Sequence, residues 1–94
     1  MRFDVETIRE SGFYSESKWL KVRDFVRDRD DMICAICGET IYEKPEVDHI
    51  IPLTWENVRD WSVAYNPDNL QLLHHDCHVR KTRRDKKVKN RLFY

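Results

Sequence analysis

Two short stretches of this sequence carry residue types that bind metal ions. They are CAIC at 34–37 and HHDC at 74–77. A Cys-x-x-Cys pair lets two thiolates bind one ion across a tight turn, and a structural zinc site takes four ligands. The chain has only three cysteines, so a histidine must supply the fourth ligand. The predicted zinc ligands are Cys34, Cys37, His74 and Cys77.

The choice of His74 depends on spacing. It stands three residues before Cys77, and residues at i and i+3 lie on the same side of a helix. His75 is two residues from Cys77, a spacing that points its side chain away. His75 nevertheless stays open as an alternative fourth ligand, because the two histidines are adjacent.

Three further polar features are not needed for the zinc site: the pair Asp48-His49, Asn69 and His78. Adjacent residues on a strand point to opposite faces, so Asp48 and His49 can have different tasks. A carboxylate and a neutral imidazole suit a divalent ion that keeps water in its shell. A free histidine can take a proton from water near neutral pH. Taken singly, each residue is more often a turn or surface residue, but together they favour phosphodiester hydrolysis.

Four elements are predicted to position these residues. Residues 15–30 read as a helix with Ser15 or Ser17 as its N-cap and a stripe formed by Trp19, Val22 and Val26. The β-branched stretches TIY at 40–42 and EVDHI at 46–50 indicate a two-stranded hairpin. A short helix is expected within 54–62, and residues 74–90 have no helix breaker and should be helical. Residues 1–14 show no periodicity and are interpreted as a loosely docked arm.

Length and composition limit the classes of protein to which this chain can belong. The chain has 94 residues, which indicates one domain. No apolar run approaches the roughly 20 residues that cross a membrane, and the first residues lack the apolar region of a secretory signal. An odd number of cysteines without such a signal favours metal binding in a reducing compartment. We therefore expect a cytoplasmic protein.

The charge is balanced in total but segregated along the chain. There are 17 basic and 17 acidic residues, yet residues 79–91 hold eight Lys or Arg and one Asp. A basic segment next to a neutral body is typical of a surface that contacts phosphates. A solvated tail without a partner is the alternative that composition alone leaves open.

The motifs in this order resemble the HNH endonuclease family, specifically its small zinc-stapled members from phages. The resemblance covers residues 19–82 and rests on WLKVRDFVRDRDDMICAICG, VDHIIPL and NLQLLHHDCHVRKT. It implies an α+β protein with the ββα-metal (His-Me finger) fold, a structural zinc site and an additional N-terminal helix. The implied organisation is one domain, 1–94, with an arm at 1–14, a helix at 15–30, a core at 34–82 and a basic extension at 83–94.

The resemblance also implies roles for the second group of residues. Asp48 and His78 would bind the catalytic ion, Mg²⁺ or Mn²⁺, while Zn²⁺ is structural. His49 would be the general base, and Asn69 would brace the loop that aims it. The family usually has cysteine at the position of His74, and it often has a glycine pair that this chain lacks between residues 53 and 69. The glycine-free connection carries Trp55 and Trp61, which we interpret as packing residues.

DNA is the implied partner, bound in a salt-sensitive and weakly sequence-specific way. The resemblance also suggests phage DNA processing, with terminase or other packaging proteins as partners, in the host bacterial cytoplasm. The rival interpretation is a non-catalytic zinc module that binds nucleic acid, or an accessory of a larger complex, which has no use for Asp48, His49 and His78 together. The predicted nucleic-acid-binding residues are Arg80, Lys81, Arg83, Arg84, Lys86 and Lys87.

Overall fold

The computed structural model describes residues 1–92, with side chains described as far as Asp85. Two short strands and three α-helices form a small α+β fold. The elements in chain order are α1 (Ser17–Asp30), β1 (Glu46–His49), α2 (Trp61–Ala64), β2 (Leu70–Leu73) and α3 (His75–Leu92), with 3₁₀ turns at Phe13–Ser15 and Pro67–Asn69. Among the described residues, no helix combines the length and apolar character that crossing a bilayer requires.

The two strands pair antiparallel, with Asp48 opposite Gln71 and His49 opposite Leu70. The predicted hairpin between 40–42 and 46–50 is therefore wrong. Thr40 instead forms an isolated bridge with Ile33 and so closes the loop that holds the first cysteine pair. The physical reason is burial: pairing β1 with β2 covers the leucines of β2, a larger apolar gain than pairing with the short stretch 40–42 offers.

Helix α1 begins later than predicted and has a different cap. Glu16 occupies the N-cap position, and no side chain in the described part of the chain caps the helix there. The predicted cap by Ser15 or Ser17 is wrong, because Ser15 lies in the preceding 3₁₀ turn and Ser17 is already helical. The stripe on this helix is correctly placed, since Trp19 and Val26 are buried.

The N-terminal segment is more closely docked than an arm. Phe13 is fully buried, and the backbone N–H of Arg2 donates to the carbonyl of Ser11 at 2.7 Å. Gly12 adopts φ 86°, a left-handed conformation that glycine tolerates without a Cβ clash, and it turns the chain into the core. A single anchoring aromatic leaves no periodic signal in the sequence, which is why the pattern did not reveal it.

The connection between the strands is mostly turns. Helix α2 covers only four residues, so the helix expected within 54–62 is largely replaced by turns that end where α2 begins. The Thr54 N–H donates to Asn57 Oδ1 at 2.7 Å, and Asp60 Oδ1 accepts from the N–H of Ser62 at 3.0 Å. These local side-chain bonds compete with a longer helix and fix where α2 starts.

Two small hydrophobic clusters stabilise the fold, and β2 contributes to both of them. The first cluster consists of Phe13, Trp19, Val26, Val58, Ala64 and Leu70. The second consists of Cys34, Ile41, Leu72, Leu73 and Cys77. The strand pair thus lies between a cluster built on α1 and another built around the cysteines.

The buried phenyl ring of the N-terminal segment generates a stability prediction. We expect Phe13→Ala to lower the free energy of unfolding by about 3–5 kcal/mol, because it opens a cavity in the first cluster. Phe25→Ala is the matched control, since Phe25 is 55% exposed on α1 and its loss should cost no more than about 0.5 kcal/mol. Urea unfolding of both variants measures the difference. Equal midpoints would show that residues 1–14 are a loose arm after all.

Candidate metal centres and active site

The four predicted zinc ligands come together in one cluster. One ligand atom from each of Cys34, Cys37, His74 and Cys77 lies within 4.8 Å of all the others. The first pair sits on a tight loop, where Gly38 has φ 75° and donates its N–H to the carbonyl of Cys34 at 2.9 Å. The second pair lies at the start of α3.

The two candidate histidines point in different directions. His74 Nδ1 lies 3.3 Å from Cys37 Sγ, while its Nε2 lies 3.1 Å from the carbonyl oxygen of Thr40. A carbonyl can only accept, so Nε2 carries the proton and Nδ1 faces the thiols as a potential ligand. His75 lies outside this cluster, with Nδ1 3.1 Å from Glu46 Oε2.

The environment of Cys34 favours its thiolate form. Burial raises the pKa of the thiol, but backbone hydrogen bonds from Cys37 and His74 outweigh burial and lower the pKa to about 6. The thiolate is the form of cysteine that binds metals. The donor set therefore fits zinc in both chemistry and number.

His49 lies on the side of β1 that faces the first hydrophobic cluster. Its ring stacks on Trp19 with centroids 5.0 Å apart and an interplanar angle of 22°. Its Nε2 lies 3.0 Å from the carbonyl oxygen of Ala64, at the end of α2. Nε2 is thus the donor, and Nδ1, which has no hydrogen-bond partner among the described residues, is the nitrogen able to accept a proton. Burial lowers the pKa of His49, so the ring is held in its neutral form, which is the form that can accept a proton.

Asp48 points to the opposite side of β1, and its two carboxylate oxygens have different neighbours. Oδ2 accepts from Gln71 Nε2 at 2.9 Å and lies 3.2 Å from Lys81 Nζ. Oδ1 lies 3.2 Å from His78 Nε2 on α3. Because Oδ2 is already engaged, a cation that binds here would bind between Oδ1 and His78 Nε2.

Glu46 is a site residue that the sequence analysis missed. Its Oε2 lies 3.5 Å from His78 Nδ1, so the imidazole of His78 stands between two carboxylates. A carboxylate on the far nitrogen of a metal-binding histidine fixes the ring orientation and its tautomer. The sequence contained a signal for this contact, because residues 46 and 48 of one strand point to the same face, so Glu46 could have been expected beside Asp48.

Lys81 does not lie on the exposed basic surface where the sequence placed it. Its side chain is 8% exposed. Nζ contacts three oxygens: Asp48 Oδ2 at 3.2 Å, the His49 carbonyl at 3.2 Å and Asp85 Oδ2 at 3.0 Å. Lys81 follows His78 by three residues, so both side chains lie on the same face of α3. This spacing was visible in the sequence, but Lys81 was grouped with the basic residues around it.

The other predicted DNA-binding residues divide into two groups. Arg80, Arg83 and Arg84 are exposed on α3. The side chains of Lys86 and Lys87 lie outside the described part of the structure.

Asn69 connects the loop after β1 to α2. Its Oδ1 accepts from the N–H of Ile51 at 2.8 Å, and its Nδ2 donates to the carbonyl of Val63 at 2.8 Å. Val63 immediately precedes Ala64, whose carbonyl holds His49. The amide therefore links both ends of the segment that surrounds the histidine.

Comparison with known proteins gives a consistent result. A family model described as HNH endonuclease matches residues 34–84. A probable HNH endonuclease of Lactococcus phage SK1 is 55% identical over 89 residues, which are 95% of each chain. The crystal structure of the HNH endonuclease of the deep-sea thermophilic bacteriophage GVE2, with manganese ion, superposes with a TM-score of 0.67 at 35% identity over 85% of each chain. The chain therefore belongs to the HNH endonuclease family, whose members are hydrolases that act on DNA.

Proposed function

We propose that this protein is a divalent-metal-dependent endonuclease that hydrolyses DNA phosphodiester bonds at the centre formed by Asp48, His49 and His78. The observation that carries the proposal is the arrangement around β1. His49 is a neutral imidazole with one nitrogen free to accept a proton. It directly follows Asp48, whose carboxylate faces the imidazole of His78. The manganese ion in the crystal structure of the GVE2 endonuclease supports the choice of Mg²⁺ or Mn²⁺ as the ion.

Asp48 Oδ1 and His78 Nε2 would hold the ion. Two protein ligands leave room for water and for phosphate oxygens of the substrate, as hard divalent ions in phosphoryl sites require. When bound, the ion supplies positive charge to the phosphorane and to the leaving 3′-oxygen. Glu46 orients the ring of His78, and Gln71 and Lys81 hold the other oxygen of Asp48 in place.

His49 is assigned as the general base. Its Nδ1 takes a proton from the attacking water, whose oxygen then bonds to phosphorus while the bond to the 3′-oxygen breaks. The leaving 3′-oxygen takes a proton from solvent water, and His49 later releases its proton to solvent. The products are a 5′-phosphate and a 3′-hydroxyl. The carbonyl of Ala64 and the ring of Trp19 fix the imidazole before the substrate arrives, and Asn69 holds the segment that carries this carbonyl. Such preorganisation reduces the entropy that must be lost in the transition state.

We infer that the Cys₃His cluster binds structural Zn²⁺. The four residues would supply all four ligands of a structural zinc ion and would leave no position for substrate. The cluster joins the loop at 34–40 to the start of α3, which carries His78 and Lys81. Zinc binding therefore fixes the helix that supplies one side of the catalytic centre.

DNA is proposed to run along the exposed arginines of α3. Arg80, Arg83 and Arg84 follow His78 on the same helix, so a phosphate at the catalytic ion would lie near them. Contacts of this kind position the duplex without reading its sequence. A role in phage genome packaging beside a terminase stays a prediction, supported by the two phage relatives. The same applies to the host cytoplasm as its location.

The general base is tested by His49→Ala with supercoiled plasmid and added Mg²⁺ or Mn²⁺. We expect the wild-type chain to nick or linearise the plasmid only with the added ion. The variant should be slower by about 10²–10⁴-fold, because water then lacks its proton acceptor. Gel assay of plasmid forms over time gives the rates. Wild-type protein that binds plasmid with the ion present and never cuts it would favour the non-catalytic binding module. A variant that cuts at the wild-type rate would remove His49 from the mechanism.

The zinc ligand is tested by comparing His74→Ala with His75→Ala. We expect His75→Ala to hold one zinc per chain and His74→Ala to lose it and to unfold at lower urea concentration, because zinc affinity is part of the folding free energy. Metal analysis and urea unfolding provide the readouts. His74→Cys should restore the zinc, which keeps the test informative if the alanine variant does not fold. Zinc retained by His74→Ala and lost from His75→Ala would reverse the assignment.

The role of Lys81 is tested by Lys81→Met without added divalent ion. Removing the ammonium leaves the buried carboxylate of Asp48 without its cation, so we expect a loss of about 3 kcal/mol in the free energy of unfolding. Arg84→Met, at an exposed position of the same helix, should change it by no more than about 0.5 kcal/mol. Urea unfolding separates the two. Equal stability of both variants would show that the contacts of Lys81 carry no net energy.

A further inference from the structure

Trp61 is an aromatic residue whose side chain is mostly exposed. Its side chain is 63% exposed at the start of α2, and its indole N–H has no hydrogen-bond partner among the described residues. Trp55 differs, because it is 38% exposed and its Nε1 donates to the carbonyl of Glu6 at 3.1 Å. The expectation that both tryptophans are packing residues fits Trp55, whereas most of the Trp61 side chain remains exposed.

The surroundings of Trp61 are positively charged and concave. Lys18 Nζ lies 3.6 Å from the centroid of its ring, and Trp61 and Tyr65 form a T-shaped contact with ring centroids 5.8 Å apart. The hollow at this place has a volume of about 550 Å³. It is lined by Ser17, Lys18, Lys21, Val22, Trp61 and Tyr65.

In the part of the chain that the structure describes, no acidic residue lines this hollow, so its two lysines set the local charge. Glu16 touches its border through the hydroxyl of Tyr65, but this carboxylate also pairs with the amino terminus of Met1 at 3.2 Å. An exposed indole beside ammonium groups matches the chemistry of a nucleotide. Lys18 covers one face of the ring, so a base would stack on the other face, and the lysines can contact the phosphate next to that base.

The position of the hollow relates it to the catalytic centre. Trp61 begins α2, and Ala64, which holds His49, ends it, so their Cα atoms are separated by about one helical turn, or ~5 Å. A second link runs through rings, since Tyr65 stacks on Phe13 at 5.4 Å and Phe13 lies 6.1 Å from His49. The hollow is therefore on the His49 side of β1, whereas the arginines of α3 are on the Asp48 side.

We propose that Trp61, Lys18 and Lys21 form a nucleotide subsite that binds the DNA strand by stacking one base and contacting its phosphate. The inference rests on the proposed function for DNA as the ligand. It gives the DNA a second anchoring surface, on the opposite side of β1 from the basic face of α3. An exposed, preformed aromatic platform of this kind is tolerant of base identity, because every base has a π-face.

The test measures binding of a fluorescently labelled duplex oligonucleotide with a single-stranded overhang to the full chain without added divalent ion, because only an unpaired base is free to stack on Trp61. We expect Trp61→Ala to weaken binding by about 5- to 150-fold, which is the effect of losing one stacked base. Trp61→Phe should keep most of the affinity, because it keeps a ring. Lys18→Ala should lower the slope of log affinity against log salt by about one. Lys44→Ala, an exposed lysine in the loop before β1, is the matched control and should bind like wild type.

Tryptophan fluorescence provides a second readout that a purely structural role would not move. A base stacked on Trp61 should quench its emission, so titration with the same oligonucleotide, unlabelled, should quench wild type and Trp55→Phe but not Trp61→Phe. Unchanged affinity of Trp61→Ala together with quenching that persists in Trp61→Phe would overturn the subsite.

Plasmid cleavage in parallel separates this inference from the proposed function. Wild-type protein that cuts, with Trp61→Ala that binds and cuts equally well, would reject the subsite and leave the nuclease in place. Loss of binding in Trp61→Ala, with a wild-type chain that never cuts, would support the subsite as a DNA contact and reject the hydrolytic role.

Discussion

The pairing of β1 with β2 is the constraint on which the rest of this structure depends. Each strand has four residues, and an isolated two-stranded ribbon is at best marginally stable in water. The ribbon persists because one side packs on the cluster formed with α1 and the other on the cluster around the cysteines. The same pairing places His49 against Trp19 and Asp48 beside Gln71. Stability and the geometry of the candidate centre are thus consequences of one register.

The candidate centre combines features that would each be unfavourable alone. Asp48 is a buried carboxylate and Lys81 a buried ammonium, and neither is tolerated in a protein interior without a partner. They neutralise each other, and Gln71 and Asp85 supply further contacts. His49 is buried as a neutral ring, which costs little because its single donor is bound by a carbonyl. Each buried polar side chain discussed here therefore has a charged or hydrogen-bonding partner that offsets the cost of its burial.

The sequence allowed some of this to be predicted and not the rest, for physical reasons. Ligand spacing is local, so the Cys₃His set could be predicted, and the 3.6-residue period of Trp19 and Val26 marked α1. Strand pairing is not local, and the stretch TIY at 40–42 has a higher β-propensity than LQLL at 70–73, so the sequence pointed to the wrong partner of β1. Which partner wins is decided by the leucines of β2, whose burial depends on both clusters at once. The inward direction of Lys81 and the contact of Glu46 with His78 depend on that same choice.

The order of the elements along the chain also has a consequence during synthesis. β1 lies at the middle of the chain, and its partner strand and the helix that carries His78 and Lys81 follow only after residues 50–69. Chains emerge from the ribosome at a limited number of residues per second. A nascent chain that has exposed only β1 holds Asp48 and His49 without the imidazole of His78. Chains still tethered to the ribosome before α3 emerges therefore lack the assembled candidate centre.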